Sequence, residues 1–126
     1  MNRRDILLVD DDHLTLTILS TMLESCGFDV AATSDGARAL EMMAQDRFGM
    51  LITDFEMPEM TGVELAARVR QRYPDLPVVM VTGSRLAEIA GPAAEAGVCR
   101  VLPKPVNFRE FMAAIDASLP ARGSAA

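Results

Sequence analysis

The sequence alternates five short apolar runs with longer segments whose apolar residues recur three or four positions apart. Each run is short enough for a β-strand, and together the runs cover residues 6–9, 28–32, 50–52, 78–81 and 98–102. The longer segments have helical spacing, and their apolar residues form four sets: Leu14, Ile18, Met22 and Cys26; Ala37, Leu40, Met43 and Ala44; Val63, Ala66, Val69 and Tyr73; and Phe108, Phe111, Met112, Ile115 and Leu119. Each set is expected to cover apolar surface. This alternation predicts an α/β domain in which right-handed crossovers join parallel strands.

The strands are apolar along nearly their whole length, which is typical of a sheet that is covered on both faces. We therefore expect a doubly wound, five-stranded parallel sheet of order 2-1-3-4-5 with helices on both faces. Two helix starts carry capping residues: Asp35 precedes the second helix, and Asn107 precedes the last helix with Glu110 three residues later. Gly91-Pro92 interrupts the fourth helix, so we expect either a kink there or a helix that begins only at Pro92.

Polar residues that could form a site follow four of the five strands, whereas those after the second strand are interpreted as a helix cap. Asp10 to Asp12 come directly after the first strand, Asp54 after the third, Thr82 after the fourth and Lys104 after the fifth. Neighbouring carboxylates repel one another and lose hydration when buried, so three in a row need either full hydration or a bound cation. In doubly wound sheets, ligands bind beyond the carboxyl ends of the strands, where the strand order reverses. The sequence therefore predicts a divalent-metal site at this edge.

Lys104 is the only lysine in the chain and lies between Pro103 and Pro105. A compact ammonium suits a point contact with a phosphoryl oxygen, although neutralisation of nearby carboxylates fits the same position. Bonds that precede proline are the usual cis peptides, which makes Lys104–Pro105 a candidate cis bond.

Asp54 can ligate a metal or attack phosphorus as a nucleophile. Thr82 can donate its hydroxyl to a phosphoryl oxygen, and Gly83 lets a backbone N–H come close. Together with Lys104 and a metal ion, these groups form a complete set for phosphoryl transfer.

With these residues in view, the chain resembles the response-regulator receiver domains of two-component signalling over about residues 4–119. Receiver domains have a flavodoxin-like fold. The resemblance rests on four motifs that occur in order along the chain: Asp10-Asp11; Asp54 with Met57-Pro58 and Gly62; Thr82-Gly83; and Lys104-Pro105.

The resemblance implies that Asp54 accepts a phosphoryl group from a histidine of a partner, either a sensor histidine kinase or a histidine phosphotransfer protein. It implies Mg²⁺ as the cofactor, bound by Asp11, Asp54 and the backbone carbonyl of Glu56, with Asp10 assisting through water. Asp12 belongs to the entry of the first helix. The domain would be a signalling module that controls contacts with a downstream protein target, and not an enzyme, because it catalyses only its own phosphorylation and dephosphorylation.

Thr82 and Lys104 would, by the same resemblance, bind the phosphoryl oxygens and respond to their arrival. Many receivers carry tyrosine or phenylalanine three residues before the lysine, where this chain has Val101. The usual aromatic switch is therefore not expected, and a movement of Thr82 must be transmitted in another way.

Two further features concern regulation. Gly91-Pro92 lies in the helix through which many receivers contact dimer mates or targets, so a homodimer is left open. Glu56 and Ser84, two residues after Asp54 and Thr82, are expected to tune the lifetime of the phosphorylated state.

Two other functions are alternatives. One is a pseudo-receiver, an interaction module of the same fold that never accepts phosphate; the complete acidic set argues against it. The other is a phosphatase, because Asp10, Asp12 and Leu14 resemble the DxD motif of the haloacid-dehalogenase family. For the late acidic motif of that family the chain offers only Glu110 and Asp116, both in an amphipathic helix.

Composition limits the partners and the location. The net charge is −6 and no basic tract occurs, so direct binding of nucleic acid is not expected. No apolar run approaches the roughly 20 residues of a membrane span, and the start lacks a signal peptide, so we expect no membrane contact and a cytoplasmic protein.

Residues 1–120 are expected to form the domain, with 121–126 as a flexible tail or the start of a linker. Cys26 and Cys99 lack CxxC spacing and are expected to be buried thiols.

Overall fold

The computed structural model of the protein describes residues 3–83 and 86–118 and contains a five-stranded sheet. The strands are β1 Arg3–Val9, β2 Val30–Thr33, β3 Arg47–Asp54, β4 Val78–Thr82 and β5 Arg100–Pro103. The helices are α1 His13–Ser25, α2 Gly36–Gln45, α3 Gly62–Arg72, α4 Leu86–Glu95 and α5 Phe108–Ser118. All neighbouring strands are parallel, and their spatial order is β2-β1-β3-β4-β5. The predicted doubly wound fold and its strand order are confirmed.

Helices cover both faces of the sheet, because successive side chains of a strand point to opposite faces. Ile6 and Leu8 of β1 pack with α1 and α5, whereas Leu7 and Val9 pack with α2 and α3 on the other side. All four side chains are almost completely buried. Burial on both faces explains why residues 6–9, 50–52 and 78–81 are all apolar.

The predicted buried face is confirmed for α3 and is wrong for α1. In α1 the buried residues are Leu16, Leu19 and Leu23. Leu14 and Ile18 are instead 67% and 51% exposed. Because α1 is apolar around much of its circumference, two different stripes have helical spacing, and periodicity alone does not select the stripe that faces the sheet.

In α2 and α5, the residues predicted to be buried are buried in the middle of the helix and exposed near its ends. Phe111 and Ile115 of α5 are fully buried, but Phe108 is 50% exposed. In α2, Ala37 and Ala44 are exposed. These positions lie in the first or last turn, where a helix leaves the surface of the sheet.

Both predicted helix caps are confirmed. The side chain of Asp35 accepts a hydrogen bond from the backbone N–H of Ala37 at 2.9 Å, and Asn107 accepts one from Glu110 at 3.0 Å. These bonds satisfy donors that have no partner inside the helix. They fix where α2 and α5 begin.

The fourth helix begins at Leu86 and contains Pro92, so the prediction that it begins only at Pro92 is wrong. Pro92 cannot donate the usual intrahelical bond. However, Ile89 and Ala93 lie one turn apart and pack on the buried Met80 of β4. This contact places the same apolar face of the helix on the sheet before and after the proline.

The two cysteines are exposed, so the prediction that they are buried is wrong. Cys26 caps the carboxyl end of α1, and Cys99 lies just before β5. Both positions are junctions between elements at the surface. Sequence spacing excluded a paired motif but carried no information about burial.

Some predictions lie outside the described residues, among them those for Ser84, for Leu119 and for the tail 121–126. The domain boundary at residue 120 also falls there. Of the helices that the structure describes, none is both long and apolar enough to cross a membrane.

Candidate functional site

Three of the predicted acidic residues lie together at the carboxyl edge of the sheet. Asp10 and Asp11 follow β1, and Asp54 is the last residue of β3, the strand beside it. Each residue offers one carboxylate oxygen, and these oxygens lie within 4.8 Å of one another. Asp10 and Asp54 are 1% and 5% exposed, whereas Asp11 is exposed. The cluster is therefore a cup with two buried carboxylates and one that faces solvent.

Lys104 joins this cluster from the end of β5. Its Nζ lies 2.8 Å from Oδ2 of Asp10 and 3.4 Å from Oδ1 of Asp54. Its backbone N–H donates to the carbonyl of Thr82 at 2.8 Å, which ties the ends of β4 and β5 together. The Lys104–Pro105 bond is cis, as the sequence indicated. In this arrangement Lys104 neutralises two carboxylates, which is one of its two predicted roles.

Burial controls the ionisation of Asp54. It raises the pKa of this carboxyl to about 6, and the negative charge of Asp10 adds to the effect while Lys104 opposes it. Burial alone would lower the pKa of Lys104, but the hydrogen bond to Asp10 and the nearby carboxylate charges outweigh it and raise that pKa. The site therefore holds more negative charge than its one lysine neutralises.

Asp12 lies apart from the cluster, as predicted. It is the N-cap residue of α1, is exposed, and accepts a hydrogen bond from the hydroxyl of Thr15 at 2.5 Å. This bond is the main reason that the pKa of Asp12 is lowered. The backbone N–H of Asp12 donates to Oδ1 of Asp10 at 2.9 Å and so helps to orient the buried acid.

The other predicted residues surround the cup. Thr82 is buried at the end of β4, and Gly83 directly after it is exposed, with open space where a side chain would project. Glu56 is exposed on the loop between β3 and α3. Val101 is half-buried and packs in the cluster around Met80, on the side of the sheet that α4 covers.

The carbonyl of Asp54 is held between two residues. The Thr53 hydroxyl donates to it at 2.9 Å, and an added Cβ at Gly62 would lie only 2.2 Å from the same oxygen. Gly62 also donates its N–H to the carbonyl of Phe55 at 2.8 Å. In the sequence, Gly62 was recognised only as part of a motif. Thr53 was not recognised, although a hydroxyl residue directly after the apolar residues 50–52 was a signal for it.

Replacement of Gly62 by alanine is expected to destabilise the domain by about 1–3 kcal/mol, because the new methyl group forces the backbone of Asp54 to move. Urea unfolding measures the loss. Gly91→Ala is the matched control, since among the described residues no atom beyond its chain neighbours and the nearby backbone of its own helix lies within 4 Å of an added Cβ. The gain from replacing a helical glycine is opposed by crowding of that Cβ against Pro92, so stability should change by less than about 1 kcal/mol. Equal stability of the wild type and Gly62→Ala would contradict the close contact.

The donor set fits a hard divalent cation such as Mg²⁺. Mg²⁺ prefers oxygen ligands at about 2.1 Å, so two ligands on opposite sides of the ion lie about 4.2 Å apart. The oxygens of Asp10, Asp11 and Asp54 lie within a comparable span. Burial raises the pKa of Asp54 and the negative charge of Asp10 adds to the effect; a cation would oppose both by stabilising the ionised carboxylate.

The strand order, the acidic cup and the half-buried lysine define a flavodoxin-like domain whose acidic residues fit a cation. The chain belongs to the response regulator receiver domain family, whose sequence model matches residues 6–116. The response regulator receiver protein CpdR of Brucella abortus (strain 2308) is 34% identical over 114 residues, which are 90% of this chain and 95% of that protein. Several other curated relatives are longer: the chain spans 26% of the transcriptional regulatory protein ZraR of Escherichia coli (strain K12), 48% of CpxR of the same strain and 50% of the response regulator MprA of Mycobacterium leprae.

Solved structures agree with this assignment. The chemotaxis protein CheY4 of Vibrio cholerae is 29% identical, with a TM-score of 0.87 over 93% of this chain and 99% of that chain. The receiver domain of the sensor histidine kinase PA1611 of Pseudomonas aeruginosa PAO1 is 24% identical, with a TM-score of 0.83 over 92% and 97% of the two chains. That structure holds a magnesium ion in its active-site cleft.

Proposed function

We propose that this receiver domain accepts a phosphoryl group on Asp54 from a histidine of a sensor kinase or phosphotransfer protein, with Mg²⁺ as the cofactor. One observation carries the proposal: a nearly buried carboxylate lies in an acidic cup, 3.4 Å from the ammonium of the only lysine in the chain. The proposed roles of Asp10, Asp11, Asp54 and Lys104 are compatible with their places in and beside this cup. The change at Asp54 would then alter the contacts that the domain makes with a downstream protein.

In the proposed transfer, a carboxylate oxygen of Asp54 forms a new bond to phosphorus while the bond from phosphorus to the partner's histidine breaks. The histidine nitrogen leaves with that electron pair. Asp11, Asp54 and the backbone carbonyl of Glu56 would hold Mg²⁺, with Asp10 assisting. When bound, the ion neutralises the negative charge that keeps an anionic phosphoryl group away from an anionic nucleophile.

Lys104 and Thr82 would hold the transferred group. Lys104 already touches Asp54, and a doubly negative phosphoryl group competes with Asp10 for its ammonium. The Thr82 side chain lies at the end of the neighbouring strand and can donate its hydroxyl to a second oxygen. The domain would have two conformations, and phosphorylation would shift the population from mostly one to mostly the other. Such a shift requires the phosphoryl group to be bound about 5 kcal/mol more strongly in the second conformation, which a few charge-assisted contacts can supply.

The partner would approach across an apolar groove beside the site. The groove has a volume of about 490 Å³ and runs between α1 and the segment after β5. Ile18 and Met22 line one wall, Pro105 and Val106 line the other, and Lys104 lies at the edge. An exposed apolar groove next to a polar centre suits an amphipathic helix that carries the phosphohistidine. In this proposal the exposed Ile18 of α1 would contact the partner.

Incubation with acetyl phosphate and Mg²⁺, followed by mass spectrometry of the intact protein, tests the proposed function. We expect the mass of one phosphoryl group to be added and EDTA to prevent the addition. Beryllofluoride, which imitates a bound phosphoryl group, should bind only with Mg²⁺. Failure of both labelling and beryllofluoride binding would favour the pseudo-receiver. A pull-down with and without beryllofluoride then identifies the target that responds.

Glu56→Ala is expected to change the rate of dephosphorylation by about fivefold with little effect on the amount of phosphate accepted. Glu56 is exposed, and we propose that it gives the metal only its backbone carbonyl while its carboxylate acts on the attacking water. A unit charge a few ångströms away in a polar setting is worth about 1 kcal/mol, which corresponds to that change in rate. A time course of phosphate loss after removal of the donor measures it.

Glu59→Ala is the matched control, because Glu59 is exposed on the same loop but three residues further from Asp54. It should leave the lifetime unchanged. Equal losses of acceptor capacity and lifetime in Glu56→Ala would show that Glu56 supports the site itself and does not tune its turnover.

A further inference from the structure

We propose that Thr53 is a positioning residue for the metal and phosphoryl site, acting through the backbone of Asp54. This inference rests on the proposed function, because it concerns how the phosphoacceptor loop is held. Thr53 is fully buried, and its hydroxyl donates to the carbonyl oxygen of Asp54 at 2.9 Å. A hydroxyl is uncommon in such a place, since burial of a polar group costs free energy unless it forms a hydrogen bond. The bond to Asp54 meets that requirement.

The bond lies at the point where β3 stops pairing with β1. Val9 is opposite Thr53 and is the last residue of β1, and Asp54 is the last residue of β3. Beyond this point only β4 still lies alongside: Asp54 is opposite Val81, and Phe55 donates its N–H to the Val81 carbonyl at 3.2 Å, so the sheet fixes the direction of the chain from one side only. A hydrogen bond from Thr53 to the next carbonyl restricts the ψ angle of Asp54, which sets that direction.

The same carbonyl is confined from the other side. Gly62 approaches it so closely that a Cβ there would lie 2.2 Å from the oxygen, and Gly62 donates its N–H to the carbonyl of Phe55. Gly62 is in turn fixed at the start of α3 by Thr61, which forms a capping box with Glu64. The oxygen of Asp54 is thus held between a hydroxyl from β3 and the backbone of α3.

This restraint matters for the proposed metal site because the next peptide units lead to Glu56, whose carbonyl is a proposed ligand. A rotation about ψ of Asp54 re-aims that carbonyl without moving the Asp54 side chain out of the cup. By the alternation of a strand, Thr53 lies on the face of β3 that carries Leu51, whereas Ile52 and Asp54 lie on the other face, and the Thr53 hydroxyl donates to a backbone oxygen. Its effect is therefore on how well the loop binds the ion.

Thr53→Val tests the proposal, since valine keeps the branched shape and removes the hydroxyl. We expect Mg²⁺ to bind about tenfold more weakly, as is usual when an outer partner of a metal ligand is lost. An NMR titration of the backbone amides with Mg²⁺ measures the affinity without any phosphorylation. The labelling rate with acetyl phosphate should need correspondingly more Mg²⁺ for half-saturation and should approach the wild-type rate when Mg²⁺ is saturating.

Two further variants separate positioning from general destabilisation. Thr53→Ser restores the hydroxyl and should return the affinity to within about twofold of wild type. Ile52→Val weakens the packing of the same strand on its opposite face and should leave the affinity unchanged. Wild-type affinity in Thr53→Val, or a loss in Ile52→Val as large as that in Thr53→Val, would overturn the proposal. If the wild type binds Mg²⁺ but is never labelled, the proposed function fails instead, and the effect of Thr53 on metal binding can still be measured.

Discussion

Asp54→Asn is expected to reduce labelling by acetyl phosphate to background, a loss of roughly a thousandfold or more. The side chain of asparagine has nearly the same shape, but its amide carries no negative charge and does not form a stable acyl phosphate. The substitution also removes a charged ligand from the proposed metal site. Intact mass spectrometry with excess donor and Mg²⁺ measures the result, and urea unfolding shows that the variant is folded.

Asp10→Asn is the matched comparison, because Asp10 is equally buried in the same cup. It binds Lys104 and is not the proposed nucleophile, so the variant should still be labelled when Mg²⁺ is raised. Peptide mapping should place the phosphoryl group on Asp54. Labelling that survives in Asp54→Asn and disappears in Asp10→Asn would instead favour the phosphatase.

The place of the candidate site could be predicted from the sequence because it depends on topology. Carboxyl ends of parallel strands share one edge, so a polar residue directly after each strand must reach that edge whatever its side chain does. Asp10, Asp54, Thr82 and Lys104 obey this rule. The alternating elements predicted a doubly wound sheet, and its strand order was taken as the common order for five strands.

Other features depend on packing, and the sequence pattern did not contain them. Ile18 and Leu19 are equally apolar neighbours in α1, yet only Leu19 is buried, because the rotation of the helix on the sheet decides between them. Thr53 was missed for a related reason. Its importance comes from the direction of one hydroxyl towards a backbone oxygen, which neither periodicity nor spacing encodes.

At neutral pH, the ionised carboxylate of Asp54 is expected to lower the free energy of unfolding of the domain. Asp54 has a folded pKa of about 6, above its ordinary value of 3.8, so the native state favours the neutral form. The stabilising contribution of neutral Asp54 is therefore fully present below about pH 4 and is lost as the pH rises through about 6. A tenfold change in an ionisation constant corresponds to about 1.4 kcal/mol, so ionised Asp54 costs up to about 3 kcal/mol at pH 7.5.

Without Mg²⁺, the free energy of unfolding of Asp54→Asn is therefore expected to exceed that of the wild type by about 1–3 kcal/mol at pH 7.5. At pH 4 the two free energies of unfolding should be nearly equal. The lower value of this range applies if the variant also loses the ion pair between Lys104 and the Asp54 carboxylate, whose atoms lie 3.4 Å apart in the wild type. Urea unfolding in EDTA at both pH values measures the difference. Adding Mg²⁺ at pH 7.5 should stabilise the wild type by mass action and narrow or reverse the gap, because the variant lacks a charged ligand. A gap that is the same at both pH values, or that Mg²⁺ leaves unchanged, would show that the charge of Asp54 is not what limits stability.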